Sequence, residues 1–184
     1  MSVFFTSDLH VGHANILKYS KRPFADLDEM HSELVRRWNS VVTPKDEVYV
    51  VGDFAYKCHP GTLRRFAESL NGTMYLVRGN HDKASVSHFA WVKDLHTIHV
   101  QDGDRVQRIV LCHYAMRVWN TSHHGTWHLY GHSHGNLKDD PNSLSFDVGV
   151  DCWDYTPVSY EQVKARMATK TWKPIDHHGR DDHE

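Results

Sequence analysis

The segment Arg78-Gly79-Asn80-His81-Asp82 constrains this chain most, because the apolar run from Met74 to Val77 stops there against glycine, amide, imidazole and carboxylate. Such a change reads as a strand delivering polar side chains to one edge of a sheet. Four other apolar runs end the same way: at Asp8-Leu9-His10, at Gly52-Asp53, at His113, and at Gly131-His132-Ser133-His134. In open α/β sheets ligands bind beyond the carboxyl ends of the strands, so five such endings predict one shared site. Asp8 and His10, as alternate residues of an extended backbone, are expected to point the same way.

Between these endings the periodicity alternates. Strands are expected over residues 3–7, 47–51 and 74–77. Met30, Leu34, Trp38 and Val41 form the stripe of one amphipathic helix, and Leu63, Phe66, Ala67 and Leu70 that of another, ended by Asn71-Gly72. This is βαβ alternation, which implies parallel strands covered by helices. Pro23 argues against a helix through the loop 12–24. A short helix is expected near 83–90, then a hairpin of strands 95–101 and 105–111 joined at Asp102-Gly103-Asp104. A long polar loop over 115–126 precedes strands over 127–130 and 144–150, and Ser159-x-x-Gln162 is a capping box opening a last helix.

A length of 184 residues with 40% hydrophobic content suits one domain with a real core, taken here as 1–172, followed by a charged, frayed tail over 173–184. Formal charge is −2, from 21 basic and 23 acidic residues, so no basic patch forecasts charge-driven binding to nucleic acid or membrane. The apolar runs are only strand length, and the N-terminus lacks a signal peptide, which makes a cytoplasmic location the expectation. Cys58, Cys112 and Cys152 form no C-x-x-C and fit a reducing compartment, with Cys112 read as a small buried hydrophobe. Seventeen histidines are a reason to look for a metal site.

Collected in order, the strand-end groups are Asp8, His10, Asp53, Asn80, His113, His132 and His134. They offer too few oxygens for a calcium cage and no thiolates for a structural zinc site. Mixed nitrogen and oxygen donors suit Mn, Fe, Zn, Co or Ni, and seven donors exceed what one such ion needs. Two divalent ions sharing a carboxylate, roughly 3.5 to 4 Å apart, would use them all. Two carboxylates and a bridging hydroxide against two such cations leave about one positive charge, which suits a phosphate ester. Attack by metal-bound hydroxide then needs no serine or cysteine nucleophile.

Asp8-x-His10, Gly52-Asp53, Gly79-Asn80-His81-Asp82, His113 and Gly131-His132-x-His134 together resemble the five signature blocks of the calcineurin-like metallophosphoesterase superfamily, in the family's order. The resemblance implies an α/β fold, a four-layer αββα sandwich of two mixed sheets flanked by helices. It implies that Asp8, His10, Asp53 and His134 bind one ion and that Asp53, Asn80, His113 and His132 bind the other, with Asp53 as the bridge. Manganese would be the ion of choice in vitro. His81 would be the proton donor to the leaving oxygen, a role that imidazole chemistry suits, and Asp82 would orient it. Segments 6–16, 127–135 and 148–158 are further similar to a small bacterial and phage branch.

The implied activity is hydrolysis of a small phosphomonoester or phosphodiester, nucleotides and cyclic nucleotides included. A nuclease and a catalytically silent scaffold are the alternatives within the fold, and nucleic acid enters only as a substrate. Arg78 is a candidate phosphate contact or a structural ion pair, and His13 and His124 are candidate supporting or substrate groups. Trp119, Trp127 and Trp153 read first as core-filling residues, and Asp147 and Asp151 as turn or salt-bridge residues.

Overall fold

The computed structural model describes residues 1–83 and 86–175. Its elements in chain order are β1 (Val3–Thr6), α1 (Ile16–Tyr19), α2 (Leu27–Val41), β2 (Glu47–Val50), α3 (Pro60–Glu68), β3 (Thr73–Val77) and β4 (Val92–Lys93). They continue with β5 (Leu95–Asp102), β6 (Arg105–Cys112), β7 (Trp127–Tyr130), β8 (Ser145–Asp147), β9 (Val158–Ser159) and α4 (Tyr160–Ala168). Two mixed sheets result. One has the order β4-β3-β2-β1-β9, parallel except for the β1–β9 edge, and the other the order β5-β6-β7-β8, with the β5–β6 hairpin its antiparallel part.

Strand alternation sorts the core into two. Phe4, Val48, Val50, Met74 and Leu76 face Met30, Leu34 and Trp38 of α2 and Leu63 and Phe66 of α3. Their neighbours Phe5, Val51 and Val77 face Ile109, Leu111, Leu129 and Phe146 of the second sheet, joined by Tyr160, Val163 and Met167 of α4. The segment 114–126 covers part of the second sheet, where fully buried His128 takes the N–H of Met116 and packs against Trp119.

Local chemistry sets the helix starts. The Asp26 carboxylate accepts the Glu29 N–H at 2.9 Å to open α2, and Ser159 and Gln162 form the expected capping box of α4. Val41 is 39% exposed, so the α2 stripe ends one turn earlier than its spacing predicts. The loop 12–24 does hold a helix, the single turn α1; it ends before Pro23, whose missing N–H therefore costs it nothing. Near 83–90 a 3-10 turn over Val86–His88 stands where a short helix was expected. Cys112 is half-buried rather than enclosed, and all three thiols are free. Lys173 still donates its N–H to Asn142, while residues 176–184 of the expected tail lie outside the described residues. Among the described residues, no helix is long and apolar enough to cross a membrane.

Candidate metal centre

The carboxyl ends of β1, β2, β3, β6 and β7 converge, but the backbone there is not extended. Asp8, His10, Asp53, His132 and His134 all take left-handed conformations, with φ of 60°, 55°, 53°, 68° and 48°. The expectation that Asp8 and His10 share a face by strand alternation is therefore wrong in mechanism. An extended chain would set their Cα atoms about 6.6 Å apart along a line. Two left-handed residues instead curl the loop, and bring Asp8 Oδ1 to 3.9 Å from His10 Nε2. Such strain, roughly 1 to 2 kcal/mol per residue, persists only where the surroundings enforce it. Here Asp8 N–H and His10 N–H donate to the carbonyls of Gly52 and Asp53, each at 3.0 Å.

Among the described residues, three groups have ligand atoms that lie within 4.8 Å of one another: Asp8, His10 and His134; His10, Asp53 and His81; and Asp53, His113 and His132. Asp53 Oδ2 stands between, 3.6 Å from His10 Nε2 and 3.4 Å from His113 Nε2. Asn80 Oδ1 joins the third group, 3.2 Å from His113 Nε2.

The chemistry of these contacts fits cations. Val51 C=O can only accept, so His113 Nδ1 donates to it at 2.9 Å and turns Nε2 toward two oxygens. His134 Nδ1 likewise meets Asp151 Oδ2 at 2.7 Å, which turns its Nε2 toward His10 Nε2 at 3.3 Å. Fully buried Asp8 Oδ1 has no hydrogen-bond partner and lies 3.9 Å from each of those imidazoles. Donors bound at about 2.1 Å to one ion sit roughly 3 to 4 Å apart, as these do. Acceptors facing acceptors in the interior need a positive charge among them.

The same crowding appears in the titration of the chain by itself. Burial pushes the Asp8 carboxyl up to about 7 and the His10 imidazole down to about 2. Burial also opposes charge on Asp53, yet its contacts with His113 hold it below the ordinary carboxylate value.

Backbone approach explains the glycines of the motifs. A Cβ on Gly131 would lie 1.9 Å from Ser7 Oγ and 2.6 Å from Asp8 Oδ2. One on Gly79 would lie 2.2 Å from Asp53 Oδ1. The carboxylates occupy the space that any side chain would take.

Asp82 departs from its expected role behind the His81 imidazole. Its buried carboxylate accepts the N–H groups of Asp53, Phe54 and Gly79 at 2.7, 2.8 and 2.9 Å, tying the β2 and β3 loops together. His81 is fixed otherwise: its N–H donates to Asp53 Oδ1 at 2.9 Å, and its ring stands edge-on to Tyr56 with centroids 4.5 Å apart. Its Nε2 lies 3.8 Å from Asp53 Oδ2, within ligand reach, but its side chain is 29% exposed where that of His10 is 2% exposed.

Two supporting residues escaped sequence reasoning in this role. Arg22, buried in the core, grips Asp151 through Nε at 2.9 Å and Nη2 at 2.8 Å, and donates to the carbonyls of Asp8 at 2.6 Å and Leu9 at 3.0 Å. Asp151, expected in a turn or salt bridge, makes that bridge and also holds His134. No local motif carries this, since the partners are far apart in sequence. His13 joins the centre, its Nδ1 3.3 Å from His10 Nδ1. The His124 ring lies tilted against that of His123, with centroids 4.2 Å apart, and belongs to none of the ligand groups. Arg78 pairs with Asp94 at 3.6 Å, the structural alternative. Trp119 and Trp153 donate their indole N–H groups to the carbonyls of Thr126 and Asp147, and Trp127 is buried.

Comparison with known proteins agrees with this geometry. Residues 1–148 match the model of the calcineurin-like phosphoesterase superfamily domain. An uncharacterized protein of Methanocaldococcus jannaschii is 33% identical over 167 residues, covering 88% of each chain. The Gene 66 protein of Mycobacterium phage L5 is 25% identical over 186 residues, covering 83% of this chain and 87% of its own. A crystal structure of a protein of unknown function from Aquifex aeolicus superposes with a TM-score of 0.67 over 90% of this chain and 98% of its own, at 21% identity, a likeness of fold. By its sequence, its two mixed sheets and its clustered His and Asp side chains, the chain belongs to the calcineurin-like phosphoesterase superfamily.

Proposed function

We propose that the chain is a metal-dependent phosphoric ester hydrolase with two divalent transition-metal ions, manganese among those that would serve. The position of Asp53 Oδ2 between His10 and His113 carries the reading, because one carboxylate oxygen facing ligands of both groups is what a shared bridge requires. Asp8, His10 and His134 would hold one ion, and Asn80, His113 and His132 the other. Bound there, the cations supply Lewis acidity toward phosphoryl oxygens and toward water.

The chain's own groups do the rest. The Arg22–Asp151 pair and the Val51 carbonyl fix His134 and His113 through their Nδ1 atoms, so each presents Nε2 inward. His81, partly exposed at the mouth, protonates the departing alkoxide as the P–O bond breaks. Water adds to phosphorus, and the products are an alcohol and a shorter phosphate ester or phosphate.

The test pairs metal content with hydrolysis of p-nitrophenyl and bis-p-nitrophenyl phosphate. Manganese-loaded protein should carry two ions and turn over at least one ester. Asp53→Asn should lose ions from both groups and at least about 100-fold in rate. Two tightly bound ions and near-normal turnover in Asp53→Asn would overturn the bridge. His81→Ala should slow alkyl esters far more than p-nitrophenyl esters, whose leaving group needs little protonation; equal losses would contradict the acid role.

A further inference from the structure

Beside His81 the surface opens into a cavity of about 450 Å³, walled by Tyr56, Lys57, Cys58, Leu63 and Lys83. The size suits a nucleotide-scale moiety. Its wall is anchored to the first loop of the metal centre: the Tyr56 N–H donates to the Val11 carbonyl at 3.1 Å, and Ala55 bridges to Val11. The backbone of Gly12 presses on Cys58 so closely that a Cβ there would come within 2.7 Å of Cys58 Cβ. The Tyr56 ring packs against both His81 and His13, each at a centroid distance of 4.5 Å.

The charge of this cavity is one-sided. Among the described residues no acidic side chain lines it, and the Lys57 ammonium lies 5.1 Å from the Tyr56 ring centroid. Lys57 and Lys83 are both exposed at its rim, and among the described residues neither has a carboxylate partner. An aromatic ring, an apolar wall and two uncompensated ammonium groups beside a proton donor suit a flat, anionic leaving group.

We propose that this cavity receives the leaving alcohol of the substrate, and that this alcohol is a nucleotide. Its base would pack on Tyr56 and Leu63, and its own phosphate would sit between Lys57 and Lys83. The substrate class is then a phosphodiester joining two nucleosides, at least one of them phosphorylated. Water adds to the bridging phosphorus, the bond to the leaving oxygen breaks, and that oxygen takes its proton from His81. The assignment rests on the phosphoesterase reading above.

Two measurements on the full chain test it. Manganese-loaded protein is assayed with thymidylyl-thymidine dinucleotide with and without a 5′-phosphate, and thymidine 5′-monophosphate is titrated calorimetrically into cation-free protein. The 5′-phosphorylated dinucleotide should be preferred by about tenfold in kcat/KM, and the Lys57→Ala/Lys83→Ala variant should erase that preference. The same variant, and separately Tyr56→Ala, should weaken binding of the monophosphate by about tenfold. A dinucleotide preference absent from the wild type, or monophosphate binding indifferent to all three side chains, would overturn the assignment. Turnover of p-nitrophenyl esters without either dinucleotide would sink the leaving-group assignment and leave the hydrolase reading standing. Lysine-dependent monophosphate binding in a protein that cleaves no ester would keep the cavity as a nucleotide site and sink the hydrolase reading.

Discussion

Asp151 accepts from His134 Nδ1 while Arg22 grips both of its oxygens, so neutralising it loosens a ligand without touching the ligand itself. Asp151→Asn should weaken manganese binding at one of the two proposed sites by about 10- to 100-fold and leave the other, which calorimetric titration resolves. Equal weakening of both would mean that Asp151 only props the fold. Gly131→Ala tests a steric constraint instead, since its Cβ would press on Ser7 Oγ and Asp8 Oδ2. A cost of roughly 1 to 3 kcal/mol in denaturant unfolding is expected, together with lost metal affinity. At this scale the sequence was legible in residue types. All seven strand-end groups that it singles out meet in one place, and the glycines beside them mark close approach. What periodicity could not supply was backbone handedness. The alternation rule places Asp8 and His10 correctly for a strand, but both lie just past its end, where φ turns positive. Nor could local spacing find Arg22 and Asp151, whose meeting depends on the folded loops.

The helices and strands depend on weaker, local forces, and their ends can be probed one at a time. Ser159 accepts the Gln162 N–H at 3.2 Å, and the Gln162 side chain returns the bond to the Ser159 N–H at 2.9 Å. Ser159→Ala should cost about 1 kcal/mol, read as a lower urea midpoint, and should leave metal binding unchanged. A larger loss would mean that the Ser159 side chain also supports the β1–β9 edge, where the residue pairs with Phe4. Long elements were readable because their period repeats: the α2 stripe buries Met30, Leu34 and Trp38, and the hairpin of β5 and β6 turns at the Asp-Gly pair. The two-residue strands β4 and β9 show no period, so only their partners reveal them. A single turn such as α1 falls below the same threshold.

The whole molecule binds its two sheets through a largely apolar interior, and it encloses His128 beneath the segment 114–126. Burial pushes that imidazole down to about 4, although the Val110 and Tyr114 carbonyls offer it acceptors. Unfolded, it takes a proton near pH 6.5; folded, it resists until about pH 4. The unfolded chain therefore binds more protons in that window, and stability falls as pH drops through it, by about 3 kcal/mol in total. Urea midpoints of the cation-free protein and of His128→Gln, taken from pH 7 to 4, should diverge below pH 6.5, the wild type falling more steeply. Parallel curves would contradict a buried neutral His128. The two-sheet plan itself was expected from the family resemblance, whereas the strand endings predicted only that five of them share one site. The β1–β9 edge has a consequence for biosynthesis. On the ribosome β1 waits for β9, and Arg22 waits for Asp151. A nascent chain stalled before Asp151 would hold all seven candidate ligands yet lack the carboxylate that clasps His134, so full competence should arrive only once residues 151–159 have been made.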